Sequence, residues 1–189
     1  MKTRKVIVLT DGDRVAKKVV EKVAQNIGGR AISMSAGNPT PLTGAEIAAE
    51  VKKAPYDPVL VMVDDCGSPD KGRGERALEE LAGDPELDIL GIIAVASDTA
   101  KVEGVPVETS VSREGKVISG PVDKNGNPEP EGHSKVEGDT VDVINQLQVP
   151  IVIGLGDLGK MDDADLVEEG AKITTLAVEE ILKRSNYHY

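Results

Sequence analysis

Apolar residues recur along this chain in two alternating rhythms. In "KVIVL", residues 5–9, they are nearly consecutive, as in a strand buried on both faces. Directly after it, Val15, Ala16, Val19, Val20, Val23, Ala24 and Ile27 fall on one helical stripe, closed by Gly28 and Gly29. The pair then repeats. "RAISM" predicts a second strand, and the turn-rich "SAGNPTPLTG" leads to Thr43, whose spacing to Glu46 is that of a capping box for a helix through Lys53. "DPVLVMVDD" predicts a third strand. Residues 74–82 predict a helix with Ala77, Leu78 and Leu81 facing inward and Gly83 ending it, and "LDILGIIAVAS" predicts a fourth strand.

Residues 105–138 break the rhythm. Their short β-prone pieces are separated by "REGK" and "DKNGNPEPEG", which predicts an inserted β-hairpin arm. A helix over 139–147, the strand "PIVIGLG" and a closing helix over 171–184 restore the alternation. The expected fold is α/β, a mostly parallel doubly wound sheet with helices on both faces. A chain of 189 residues is expected to form a single domain, 1–189, with the arm as its appendage.

Composition adds three constraints. Aromatic residues make up 2% of the chain, with no Trp or Phe, so the core is built from Val, Ile, Leu and Ala. The formal net charge of −11 disfavours phosphate backbones and anionic bilayers, and nucleic acid is not expected as a partner. No apolar stretch approaches the roughly 20 residues of a bilayer-spanning helix. The N-terminal apolar run ends at Leu9 and meets acidic groups at once, so no signal peptide is expected either. Cys66, the one cysteine, cannot form an internal bridge, which fits a reducing interior, and it reads as inert.

In a doubly wound sheet, ligands gather beyond the carboxyl ends of the strands, near the point where strand order reverses. That places Asp11 and Asp13, Asp64 and Asp65, Ser97 and Asp98, and Gly156 and Asp157 in loops on one edge. If the first and third strands are adjacent, Asp11, Asp13, Asp64 and Asp65 become neighbours and form a candidate site for Mg²⁺ or Ca²⁺, hard cations that take carboxylate oxygens. Each pair has a structural alternative. Asp11 and Asp13 can cap the following helix, and "VDDCG" can be a strand-end turn.

Ser97, Asp98, Gly156 and Asp157 are candidate ligand-binding residues. "GLGDLGK", residues 154–160, is a tight strand-to-helix turn or an anion cradle; it lacks the spacing and the trailing Ser/Thr of a Walker loop. "SAGNPTP", residues 35–41, shapes a pocket wall or simply a rigid loop. His133 lies in the arm and His188 in the tail. Neither has a metal-ligand partner at helical spacing, and both read as surface residues.

Taken together, "LTDGDRVAKKVVEKVAQNIGGRAISMSAGNPTPLTG", "DPVLVMVDDCG", "GIIAVASDT", "GDTVDVINQL" and "PIVIGLGDLGKMDD" resemble the soluble stage V sporulation protein AE family of endospore-forming bacteria, over nearly the whole chain. The resemblance implies a non-enzymatic, peripheral component of the spore inner-membrane machinery that moves dipicolinic acid with Ca²⁺ and serves germination. Its implied partners are the other stage V sporulation A proteins and germination proteins, met by protein–protein docking. It brings no catalytic residues with it.

A second, piecemeal resemblance runs to the haloacid-dehalogenase-like phosphatases. "VIVLTDGDRV" is similar to their first motif, which would make Asp11 the nucleophile and Asp13 the acid/base of a Mg²⁺-dependent phosphohydrolase. Ser97, and Asp157 with Asp162 or Asp163, would stand for later motifs. Arg14 and Val15 depart from the commoner small polar pair, and the motif's lysine has no assigned position.

Overall fold

The computed structural model describes residues 3–68, 70–161 and 163–188. The elements follow in the order β1 (Arg4–Leu9), α1 (Arg14–Asn26), β2 (Arg30–Ala31), α2 (Gly44–Lys53), β3 (Val59–Met62), α3 (Arg73–Gly83), β4 (Leu87–Val95), β5 (Val105–Pro106), β6 (Thr109–Val111), β7 (Val117–Ser119), β8 (Lys135–Val136), β9 (Val152–Leu155) and α4 (Lys172–Arg184). Seven strands form one sheet in the order β2-β3-β1-β4-β9-β6-β7. Every pairing in it is parallel except β6 with β7 at the edge. β5 and β8 pair separately and antiparallel.

The period of two in a strand sorts the core into two layers. Ile7 and Leu9, Leu60 and Met62, and Ile93 and Val95 face α1 and α4. Val6 and Val8, Val59 and Val61, and Ile92 and Ala94 face α2 and α3. This is the expected doubly wound sheet with helices on both faces. The continuous apolar runs are the sequence form of strands covered on both sides.

Local chemistry sets the helix ends. Asp13 caps α1 by accepting the Ala16 N–H at 2.8 Å. Thr43 and Glu46 form the expected capping box at α2, with Thr43 Oγ1 accepting the Glu46 N–H at 3.2 Å and Glu46 Oε2 accepting the Thr43 N–H at 2.8 Å. Buried Asp165 starts α4, taking the N–H groups of Ile173 at 2.6 Å and Thr174 at 3.0 Å.

Three segments differ from expectation. "RAISM" is a strand only at Arg30–Ala31 and then turns, because the Ser35 hydroxyl bonds the Ile32 carbonyl at 2.6 Å and accepts the Met62 N–H at 2.9 Å, where a neighbouring strand would have accepted it. The helix expected over 139–147 is a short 3-10 turn, Asp142–Gln146. There the Asp142 carboxylate reaches back to the N–H groups of Glu103 and Gly104, at 2.9 and 2.8 Å, and Thr140 takes a φ of 65° that breaks helical continuity. The inserted segment does contain its hairpin, β6 and β7, but β6 also lies alongside β9 and extends the main sheet. Gly154 permits this approach, since a Cβ there would stand 2.2 Å from Ser110 Oγ.

Candidate functional site

A cavity of about 350 Å³ opens at the carboxyl ends of β1, β3, β4 and β9. From β1 the chain leaves toward β3 and β2, and from β4 it proceeds toward β9, so the cavity sits where strand order reverses. The first and third strands are adjacent, as the candidate cation site requires.

At the end of β1, the Thr10 hydroxyl accepts the Val95 N–H at 2.9 Å, which ties β1 to β4. Asp11 follows and is only 8% exposed. Its Oδ1 accepts the Asp13 N–H at a long 3.3 Å. Asp13 divides its roles between the two readings. Its Oδ1 caps α1, while a Cβ built on Gly159 would stand 3.8 Å from its Oδ2 and 3.2 Å from Asp157 Oδ1, so both carboxylates border the loop after β9. Asp157 is held there by the N–H groups of Gly159 at 2.9 Å and Lys160 at 3.2 Å.

The two aspartates after β3 part company. Asp64 lines the cavity, accepting the Gly12 N–H at 3.1 Å and the Cys66 N–H at 3.0 Å. Asp65 turns to α3 instead and bonds the N–H groups of Gly74 at 2.6 Å and Glu75 at 3.1 Å. It fills the capping place that Gly72, without a side chain, cannot. At the end of β4, Ser97 Oγ accepts the Asp139 N–H at 2.9 Å, and Asp139 in turn takes the Gly67 N–H at 2.5 Å.

Asp98 stands exposed at the mouth, bridging Lys124 and Lys160, the latter at 3.1 Å. Gly156 does not line the cavity. It is packed against the insert, where a Cβ would lie 2.5 Å from Gly126 N and 2.8 Å from Met161 Sδ. Asp163 pairs with Arg113 at 3.0 Å, and Asp162 lies outside the described residues. Asp139 and Lys160 are cavity residues that strand-end patterns did not single out. Asp139 comes from a distant turn, and its sequence signal is only its place after Gly138.

The electrostatics follow from the crowding. Burial pushes the Asp11 carboxyl well above the usual carboxylate range, and Asp13, Asp157 and Asp64 push the same way. Burial raises Asp64 to about 6, with Asp139 adding to the rise while the N–H groups of Cys66 and Gly12 oppose it. Hydrogen bonds from Lys124 and Lys160 hold Asp98 below its ordinary value. A desolvated carboxylate with one long hydrogen bond and three acidic neighbours suits a hard cation, and the donors are all oxygen. These aspartates are not a closed cage. Among the described residues, three donor atoms within 4.8 Å of one another are offered only by Glu129, His133 and Glu137. The cavity therefore fits an ion such as Mg²⁺, which keeps several waters in its shell.

Fold and site define a doubly wound α/β protein with an acidic cavity where such sheets bind ligands. The family model of stage V sporulation protein AE1 (SpoVAE) matches residues 5–185, and the chain belongs to this family. It is a sporulation-related protein. No curated protein and no solved structure matches it. Among the described residues, no helix is long and apolar enough to cross a membrane.

Proposed function

We propose that this sporulation protein is a peripheral component of the spore inner-membrane machinery that moves dipicolinic acid and serves germination. It docks to the membrane-embedded stage V sporulation A proteins and holds a divalent cation, Ca²⁺ or Mg²⁺, between Asp11, Asp13, Asp64 and Asp157. The observation that carries the cation is the burial of Asp11 among the other three carboxylates, which favours its neutral form until a positive charge enters. Family membership carries the setting. The test is capture of spore-membrane proteins by the tagged chain, with Ca²⁺ or with chelator, beside calorimetry of the purified chain. Retention of stage V sporulation A proteins and cation uptake lost in Asp11→Asn support the reading. No retained partner, or no heat and no thermal shift with either cation, overturns the corresponding half of it.

A second reading, a Mg²⁺-dependent phosphohydrolase, is favoured by one observation: Asp11, Asp13, Ser97, Asp157 and Lys160 all border the same cavity. In it the Asp11 carboxylate attacks phosphorus as the P–O bond to the alkoxide breaks, protonated Asp13 gives its proton to the leaving alkoxide, and water, losing a proton to Asp13, then cleaves the acyl phosphate to inorganic phosphate and free Asp11. Lys160, freed from Asp98, would bind the phosphoryl oxygens. Steady turnover of generic phosphate esters with Mg²⁺, abolished by Asp11→Asn, would rank this reading first.

A further inference from the structure

We propose that Glu129, His133 and Glu137 form a second metal site, for a divalent transition ion of the Zn²⁺ type, separate from the aspartate cavity. Each residue presents one donor atom, and the three atoms lie within 4.8 Å of one another. The expectation that His133 is a surface residue without a metal-ligand partner at helical spacing is corrected, since Glu129 and Glu137 stand at that spacing on either side of it. The structure folds the segment so that Glu129 and Glu137, four residues before and four after it, converge on it without a helix.

The state of the imidazole is the second observation. His133 Nε2 is shielded from solvent and has no hydrogen-bond partner, although Glu137 Oε2 stands 3.2 Å away. Ring nitrogen and carboxylate oxygen approach closely without the alignment of a hydrogen bond, as two ligands of one ion do.

The backbone supports all three positions. The Glu129 N–H donates to the Pro121 carbonyl at 3.1 Å, and the His133 N–H to the Pro130 carbonyl at 3.1 Å, with Gly132 making the turn between them at a φ of 91°. Glu137 follows β8, and its carbonyl accepts the Ser97 N–H at 3.1 Å. The donor set selects the ion. Two carboxylates and a neutral imidazole balance a 2+ charge, the nitrogen favours Zn²⁺ over Mg²⁺ or Ca²⁺, and a water completes the tetrahedron. Bound metal would close the loop over residues 129–137 and brace the chain that runs on from β8 through Gly138 to Asp139 at the cavity rim.

The experiment titrates Zn²⁺ into the chelator-treated full chain, followed by calorimetry and thermal unfolding. One equivalent is expected to bind and to raise Tm. Affinity falls at least about tenfold in His133→Ala and in Glu129→Gln, as loss of a ligand predicts. His188→Ala binds as the parent does. Absorption at the zinc edge shows nitrogen and oxygen donors without sulfur, which excludes Cys66. Circular dichroism confirms that each variant is folded, and if His133→Ala is not, Glu129→Gln and Glu137→Gln decide. Zinc uptake undiminished in these variants, or no uptake by the parent chain, overturns the site.

Discussion

Asp64 Oδ2 accepts the backbone N–H of Gly12 at 3.1 Å, joining the turn after β3 to the turn after β1. Through this bond the acidic ends of two strands that are distant in sequence share one rim. Gly12 is tightly enclosed there. A Cβ would stand 2.7 Å from the Gly37 carbonyl oxygen and 3.2 Å from Asp64 Cβ. Gly12→Ala therefore has to displace backbone. It is expected to cost about 1–3 kcal/mol in urea unfolding, and to weaken cation binding in the cavity as the turns move apart.

The raised pKa of Asp64 has a definite sign. Its folded value, about 6, exceeds the ordinary 3.8, so the stability it contributes is present below pH 4 and is lost as pH rises toward 6. Asp11, shifted in the same direction, extends that loss. Thermal unfolding from pH 4 to 7 should show a falling Tm that is flattened in Asp64→Asn. The rise from 3.8 to about 6 bounds the effect at about 3 kcal/mol. A variant with the parent's full slope would show that Asp64 is not its source.

Divalent cation should counter the same loss. At pH 7, Ca²⁺ or Mg²⁺ is expected to raise the Tm of the parent chain by stabilising the ionised carboxylates, in proportion to occupancy. Asp11→Asn and Asp13→Asn should respond weakly. Equal responses in all three chains would move the binding elsewhere.

Asp65 separates structure from chemistry. Its carboxylate is committed to the N–H groups of Gly74 and Glu75. Asp65→Ala is expected to destabilise by about 1–2 kcal/mol through loss of the α3 cap. Cation affinity measured on the folded variant should change little, in contrast to Asp13→Asn.

Thr43→Ala removes the hydroxyl half of the α2 capping box, the acceptor of the Glu46 N–H, and leaves the Thr43 backbone N–H on the Glu46 carboxylate. Thr43 does not line the cavity, so a loss of about 1 kcal/mol in chemical unfolding, with unchanged cation binding, is the expected result.

Much of this was legible in the linear pattern. The apolar run from Lys5 to Leu9, the stripe from Val15 to Ile27 and the Thr43–Glu46 box are local signals, and the structure realises them at or within a residue of the expected bounds. Ser35, Asp142 and Thr140 escaped because their hydroxyl or carboxylate partners, or their backbone turn, depend on other segments. The same holds for the site. Aspartates at strand ends could be counted, yet nothing in "VDD" distinguishes Asp64, which faces the cavity, from Asp65, which caps a helix.

The sequence by itself determined the alternation of strands and helices, the aliphatic core and the family, because periodicity and capping act over a few residues. Only the tertiary structure decided that β1 lies between β3 and β4, that β6 widens the sheet beside Gly154, and that Asp139 and Lys160 complete the cavity. Those outcomes rest on contacts between residues far apart in the chain, where steric fit and the satisfaction of buried polar groups select one packing.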